Sequence, residues 1–333
     1  MQNKYKIEIL LYLFFTCNNK ITMAYNNNMT YNMSYNKGNK YMKCMYWIQP
    51  DKIIYNALSK NPNAIYILEQ NLDKVDWNKL SGNPNAIHIL EQNMDKVDWN
   101  KLSLNPNAVH ILEQNLDKVN WKFMSLNANA IQILEKNLDK VDWNSLSENP
   151  NAIQILEKNL DKVDWHYLSE NPNAIHNLKQ IVNENNSGFL SWNPNANRIL
   201  EQNLDKVDWY GLSGNPNAIH ILEKNMDKVD WVGLSGNPNA IQILEKNLDK
   251  VDWGFLCFNP NAVHILEKNL DKVDWYMLCL NPNIFTYDYE AIKNAMYKEG
   301  GFVEELMQNR FHPINIHRWN GWGFECPNDD EDE

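Results

Sequence analysis

Residues Asn83 to Leu104 read NPNAIHILEQNMDKVDWNKLSL, and the same sentence is written again and again along the chain. The Asn-Pro pair that opens it stands at Asn61-Pro62, Asn83-Pro84, Asn105-Pro106, Asn149-Pro150, Asn171-Pro172, Asn193-Pro194, Asn215-Pro216, Asn237-Pro238, Asn259-Pro260 and Asn281-Pro282. Ala128 replaces the proline once, after Asn127, without loss of register. The step is 22 residues throughout, and ten full units run from Asn61 to Leu280. A half unit precedes them (Asp51 to Ser59) and a partial unit follows from Asn281. A fixed period of this length is the signature of a repeat architecture.

Each unit reads as two helices. Asn83 has the side chain of an N-cap and Pro84 the fixed φ of a first helical residue. Ala86, Leu90 and Met94 follow at helical spacing, widened by Ile87 and Ile89 into an apolar stripe. Asn93 suits a left-handed residue closing that helix. Asp98 is placed to cap a second, shorter element carrying Trp99 and Leu102, either one α turn or 3₁₀. So small a unit cannot bury its own apolar face, so neighbours must stack into a solenoid. Helices pack ~8–10 Å apart, so ten units predict a rod or superhelix on the order of 100 Å in contour. Equivalent residues then form ladders, and Trp77, Trp99, Trp121, Trp143, Trp165, Trp209, Trp231, Trp253 and Trp275 are expected to supply much of the core.

One unit, 171–192, departs. Ile181 to Trp192 reads IVNENNSGFLSW, with Asn185 in the Val slot, Asn186 in the Asp slot and Ser187 in the Trp slot. Trp192 is a candidate to refill the gap, and the segment is expected to be the weakest joint of the array. Residues 1–45, rich in Asn, Tyr and Met, read as a disordered or signal-like leader. Their apolar run from Ile9 to Phe15 is too short to span a bilayer. The repeats occupy 46–283, a helical C-terminal cap is expected over 284–326, and 327–333 is an acidic tail.

The Leu-Ser-x-Asn-Pro junction and the alternation of a longer helix with a very short one resemble the leucine-rich repeat variant family. The resemblance implies an all-α fold: a right-handed α-solenoid of 22-residue units, each a longer helix plus a short α or 3₁₀ helix. The full pattern LSxNPNAIxILExNLDKVDW is also similar to tandem-repeat proteins of giant DNA viruses of the Mimivirus type. So is the C-terminal segment, with Tyr287-Asp288-Tyr289-Glu290-Ala291-Ile292, Glu304-Glu305-Leu306, Phe311-His312-Pro313 and Trp322-Gly323-Phe324. This likeness spans about residues 45–326. It implies the cytoplasm of an infected cell or a virus particle as the location, or secretion if residues 1–24 are a signal peptide. No activity comes with it.

The chemistry on offer is sparse. The net charge is −11, with 31 Lys and Arg against 42 Asp and Glu, which speaks against nucleic acid. His88, His110, His176, His220 and His264 share one slot with Tyr66, Gln132, Gln154, Arg198 and Gln242. Neighbours ~8–10 Å apart cannot share one zinc. The recurring Asp73 and Asp76 lack both the asymmetry of a catalytic pair and the glycine turn of a calcium loop, and helix capping by Asp76 and its equivalents explains the spacing. Cys257 and Cys279 replace Ser as small buried residues, too far apart for a disulfide. His312, His317 and Cys326 lack a fourth zinc ligand. No nucleotide-binding or hydrolase motif appears. The reading is therefore a non-enzyme without cofactors that binds a protein partner and has no stable membrane span. It would be a monomer or self-associate end to end; the alternative is a structural component, for example of a virus particle. Three slots vary between units: the His slot, the two residues after Trp, and the residue before Asn-Pro. The after-Trp pairs include Asn78-Lys79, Lys122-Phe123, His166-Tyr167, Tyr210-Gly211 and Tyr276-Met277; the third slot holds Gly82, Leu104, Glu148, Phe258 and Leu280. The expected interaction ridge is His88, His110, Tyr167, His176, Tyr210, His220, His264 and Tyr276.

Overall fold

The protein is seen here as a computed structural model that describes residues 42–174 and 187–297. The units are helical at the expected step, and their local chemistry departs in part from what the residue types suggest. Asn83 does not cap the first helix. Its Oδ1 accepts the backbone N–H of Asn85 at 3.0 Å, an Asx turn, and the helix begins only at Ile87. Asn93 has φ −139°, not a left-handed value, and serves the helix end by its side chain, Nδ2 donating to the Ile89 carbonyl at 2.9 Å. Asp98 caps the second helix as expected, accepting from the Lys101 N–H at 2.9 Å. The first helix, Ile87–Glu91, is no longer than the second, Trp99–Leu104, and the 3₁₀ turn Met94–Lys96 lies between them.

The core is a set of aliphatic ladders rather than a Trp ladder. Ala86, Leu90 and Leu102 and their described equivalents are buried. The tryptophans are half-buried, packed on the core by one face. The other face is covered by a lysine of the following unit. Lys96 Nζ lies 4.6 Å from the Trp77 ring centroid, and Lys118–Trp99, Lys140–Trp121, Lys162–Trp143, Lys228–Trp209, Lys250–Trp231 and Lys272–Trp253 repeat it.

Buried asparagines link the units. Asn83 Nδ2 donates to the carbonyls of Ser59 at 3.1 Å and Asn61 at 3.0 Å, and Asn85 Nδ2 to that of Pro62 at 2.9 Å. With its Oδ1 used in the Asx turn, each such asparagine has both donor hydrogens and its oxygen satisfied inside the core. The pattern is repeated at every junction, and it does not stop at the ends. Asn61 Nδ2 donates to the carbonyls of Cys279 and Asn281, both at 2.9 Å, and Asn63 Nδ2 to Pro282 at 2.8 Å. Residues 220 apart thus make the bond made elsewhere by residues 22 apart. Eleven asparagines, from Asn61 to Asn281, form one endless ladder.

The solenoid is therefore a closed ring, not an open rod. Eleven units share one full turn, about 33° each, as stacked repeats with a constant small rotation must when the rotation closes. The eleventh unit is composite. Its opening turn, Asn281 to Ile284, comes from the C-terminal side; its second helix, Tyr55–Leu58, comes from the N-terminal side and packs on Trp275–Leu280. A backbone bond that spans every described junction is kept there as well. The Asp98 N–H donates to Ser81 Oγ at 3.0 Å, and at the closure the Ile54 N–H donates to Cys279 Sγ at 3.4 Å.

A two-stranded antiparallel sheet locks the closure. β1, Met42–Cys44, pairs with β2, Phe285–Tyr287, in the register Met42 to Tyr287. Met42–Cys44 fall in the stretch expected as leader and Phe285–Tyr287 in the stretch expected as a helical cap; both are strand, because each supplies the other's hydrogen-bonding edge. The helix Tyr289–Tyr297 follows, and the rest of the 284–326 segment lies outside the described residues. Lys43 Nζ sits 3.1 Å from Asp288, whose carboxyl is held below its usual range by the Ala291 N–H and by that lysine. Burial, with the Cys279 thiol nearby, pushes the Cys44 thiol up to about 11.

Most of the irregular segment, 175–186, lies outside the described residues. On either side of it the ladder is continuous: Asn193 Nδ2 donates to Ser169 and Asn171, both at 2.9 Å, and Ser191 Oγ receives the Asp208 N–H. Trp192 does not enter the Trp slot. It stands one residue before Asn193, 5.4 Å from the Tyr210 ring and directly over Gly211.

Candidate interaction surface

Closure gives the units an inside and an outside. The Trp-led helices of neighbouring units pack directly on one another, more closely than the Ile-led helices do, so they line the concave side. Lys79 Nζ reaches past the composite unit to Tyr276 Oη, 2.8 Å away, a chord that is short only on the inner wall. On each described Trp-led helix the Leu (Met124 in one) and the Ser or Cys that follows it are buried. The two residues after Trp and the one before Asn-Pro lie on the opposite side of the 3.6-residue cycle. These slots line the lumen side of the junctions, where Tyr167 and Tyr276 are exposed while Ser145, Glu148, Phe258, Met277 and Leu280 are buried between units.

The expected ridge therefore falls apart into two surfaces. His88, His110, His220 and His264 lie on the outer helices, each paired to a glutamate of the preceding unit. His110–Glu91, His220–Glu201 and His264–Glu245 are all 2.8 Å, and His88 meets Glu69. Such exposed pairs act between units and contribute little each. Tyr167, Tyr210 and Tyr276 lie on the inner wall, with Tyr167 38% and Tyr276 37% exposed. His176 lies outside the described residues. Among the described residues no group of three or more His, Cys, Asp or Glu side chains is placed to hold a metal. Cys257 and Cys279 are buried, and burial pushes the Cys257 thiol up to about 12.

The wall has members that the ridge omitted. Phe189 lies in ring contact with His166, and Trp192 with Tyr210. Val232 and Phe255 continue the arc toward Tyr276. Their signal was in the sequence as slot variability, but it pointed to one face only after the curvature was known. The Tyr210 hydroxyl is raised well above its ordinary value, first by burial and then by Asp230, Asp208 and Asp252. Carboxylates of three successive units thus act on one inner-wall side chain.

No helix among the described residues is long and apolar enough to cross a membrane. No protein-family model matches the chain, and neither a curated protein nor a solved structure was found similar to it.

Proposed function

We propose that the ring is a non-enzymatic scaffold that binds a protein partner through its inner wall. One observation carries the reading. Of the three slots that differ between units, the two on the Trp-led helices gather on the lumen side and carry the aromatic side chains, while the ladder residues behind them hardly change. Aromatic side chains on such a wall suit protein contact, as they bring large area at low entropic cost. End-to-end stacking of the repeat array is disfavoured, because its first and last units are bonded to each other. The motif and the Asn-, Lys-, Ile- and Tyr-rich composition support kinship with the giant-virus repeats and the right-handed path of the leucine-rich repeat variant. On that kinship the site of action is an infected cell or a virus particle.

A photoreactive phenylalanine at Tyr210 tests the inner wall, and one at Gln242 tests the outer slot. Adducts in host lysate from the first position and not the second are the expected result. Equal adducts from both, or none with concentration-dependent light scattering, would favour a structural component instead.

A further inference from the structure

The composition of the inner wall is lopsided. Take the capping Asp, the two residues after Trp and the residue before Asn-Pro as the wall. Lysine occurs there at Lys60, Lys79, Lys101 and Lys122, all in the composite unit and the three that follow it. The capping Asp recurs beside those lysines too, at Asp76 and Asp98, but from Asp142 onward the same slots hold no Lys or Arg and carry Asp142, Asp164, Glu170, Asp208, Asp230, Asp252 and Asp274, with Glu148 buried between units. Interleaved with these are Tyr167, Phe189, Trp192, Tyr210, Val232, Phe255 and Tyr276. The lysines of the LDK turns do not cancel this charge: in each unit the turn Lys is matched in sequence by its own turn Asp, and Lys162, Lys228, Lys250 and Lys272 stack over Trp rings, leaving the capping Asp as the surplus. Because all units are related by rotation, the capping carboxylates crown one rim of the lumen. Lysine arc and acidic-aromatic arc face each other across it.

The dimensions select the occupant. Eleven helices spaced ~8–10 Å apart give a circle of roughly 30 Å through their axes. Removing the half-width of a helix of ~10–12 Å diameter on each side leaves an opening of roughly 20 Å, enough for one α-helix seated against the wall. We propose that the lumen receives a cationic amphipathic α-helix of a partner protein, with its apolar face on the aromatic arc and its Lys or Arg side chains on the Asp rim. Charge complementarity fixes the sign: a cation gains from both carboxylates and aromatic faces on that arc and is turned away from the lysine arc, so the helix has one preferred seat. An anionic strand, nucleic acid included, meets the opposite field.

The inference rests on the scaffold reading, and the test separates the two. The probe is a synthetic 18-residue helix of Leu and Lys with one apolar face, titrated calorimetrically into the full chain, with its Leu/Glu counterpart as control. Binding of the Lys helix at least ~10-fold tighter than the Glu helix, weakening with salt, is expected. The variant Val232→Lys with Phe255→Lys places lysine in slots that already carry Lys122 and Lys101 elsewhere, so the ring has precedent for folding with it. It is expected to weaken the Lys helix at least ~10-fold, whereas the outer Gln242→Lys, in the slot that holds Arg198, changes it less than ~2-fold. Circular dichroism and melting would confirm that both variants fold. Equal binding of the two helices, preference for the Glu helix or for single-stranded RNA, or indifference to the inner double variant each overturns the proposal. If the Lys helix fails while Tyr210 still cross-links a protein, the cationic helix is wrong and the scaffold stands; if both fail, so does the scaffold.

Discussion

Asn127-Ala128 shows what the Asn-Pro pair is for. Without its proline the unit keeps both the Asx turn, with the Asn129 N–H on Asn127 Oδ1 at 3.0 Å, and the cross-unit bond from Asn151 Nδ2 to the Ala128 carbonyl at 2.9 Å. Proline is dispensable there; the asparagine is not, because its amide is buried between two carbonyls. Asn237 is fully buried, donating to Ser213 at 2.9 Å and Asn215 at 3.0 Å. Asn237→Asp removes both donors and sets a carboxyl against two carbonyl oxygens, for an expected loss of ~3–5 kcal/mol at neutral pH. Burial raises the folded-state pKa of the new acid above its unfolded value of ~3.9. The variant should therefore lie closest to wild type below about pH 4 and lose ground as pH rises through the folded pKa. Urea melts at pH 4 and pH 7 measure this; equal losses at both would mean that the site is hydrated. This role was not legible in the sequence. An Asn before Pro announces a helix start, and nothing in the one-dimensional pattern says that its amide hydrogens leave the unit.

Between elements, the junction is a matched pair of slots. The residue before Asn-Pro lies over the second residue after Trp in the next unit, and Trp192 covers Gly211. A Cβ on Gly211 would stand 2.6 Å from Trp192 Nε1 and 2.8 Å from its Cε2, both in a rigid ring held also by Tyr210. Gly211→Ala should cost ~1–3 kcal/mol by overpacking. Gly188→Ala, with nothing within 4 Å, should be neutral or gain ~0.5–1 kcal/mol of helix propensity. Adding Trp192→Leu to Gly211→Ala should restore part of the loss, since Leu126 already sits over the small Ser145 in another unit. Additive thermal shifts in the double variant would refute the pairing. The 22-residue period, the capping Asp and the burial of Cys257 and Cys279 were all legible, because each follows from residue type and spacing. The half-burial of the tryptophans was not. It depends on a lysine in the following unit closing over the ring, a contact between residues 19 positions apart, such as Lys162 and Trp143 at 4.7 Å.

At the scale of the whole molecule, the two chain-end fragments add up to one unit. Asp51 to Ser59 supplies the second half and Asn281 onward the first, so the sequence held the hint of closure. What it did not hold was the rotation per unit, which depends on how much closer the Trp-led helices pack than the Ile-led ones. Closure also changes the meaning of the irregular unit. In an open array one weak interface divides the halves; in a ring each half stays attached through the other side, and a break gives an open chain rather than two fragments. A circular permutant distinguishes the two architectures. Residues 42–297 would be kept, Tyr297 joined to Met42 through ten added residues, and new termini placed within 181–186. Ten residues reach at most ~36 Å. That is ample where β1 and β2 are paired and the nine-residue helix Tyr289–Tyr297 extends about 14 Å. It is far too little for the ends of a rod on the order of 100 Å in contour. In the ring the linker only replaces a contact already made, so the permutant should fold with wild-type helicity and melt cooperatively. A permutant that is unfolded or domain-swapped, beside an unpermuted 42–297 chain that folds, would show that the ends are not neighbours in solution.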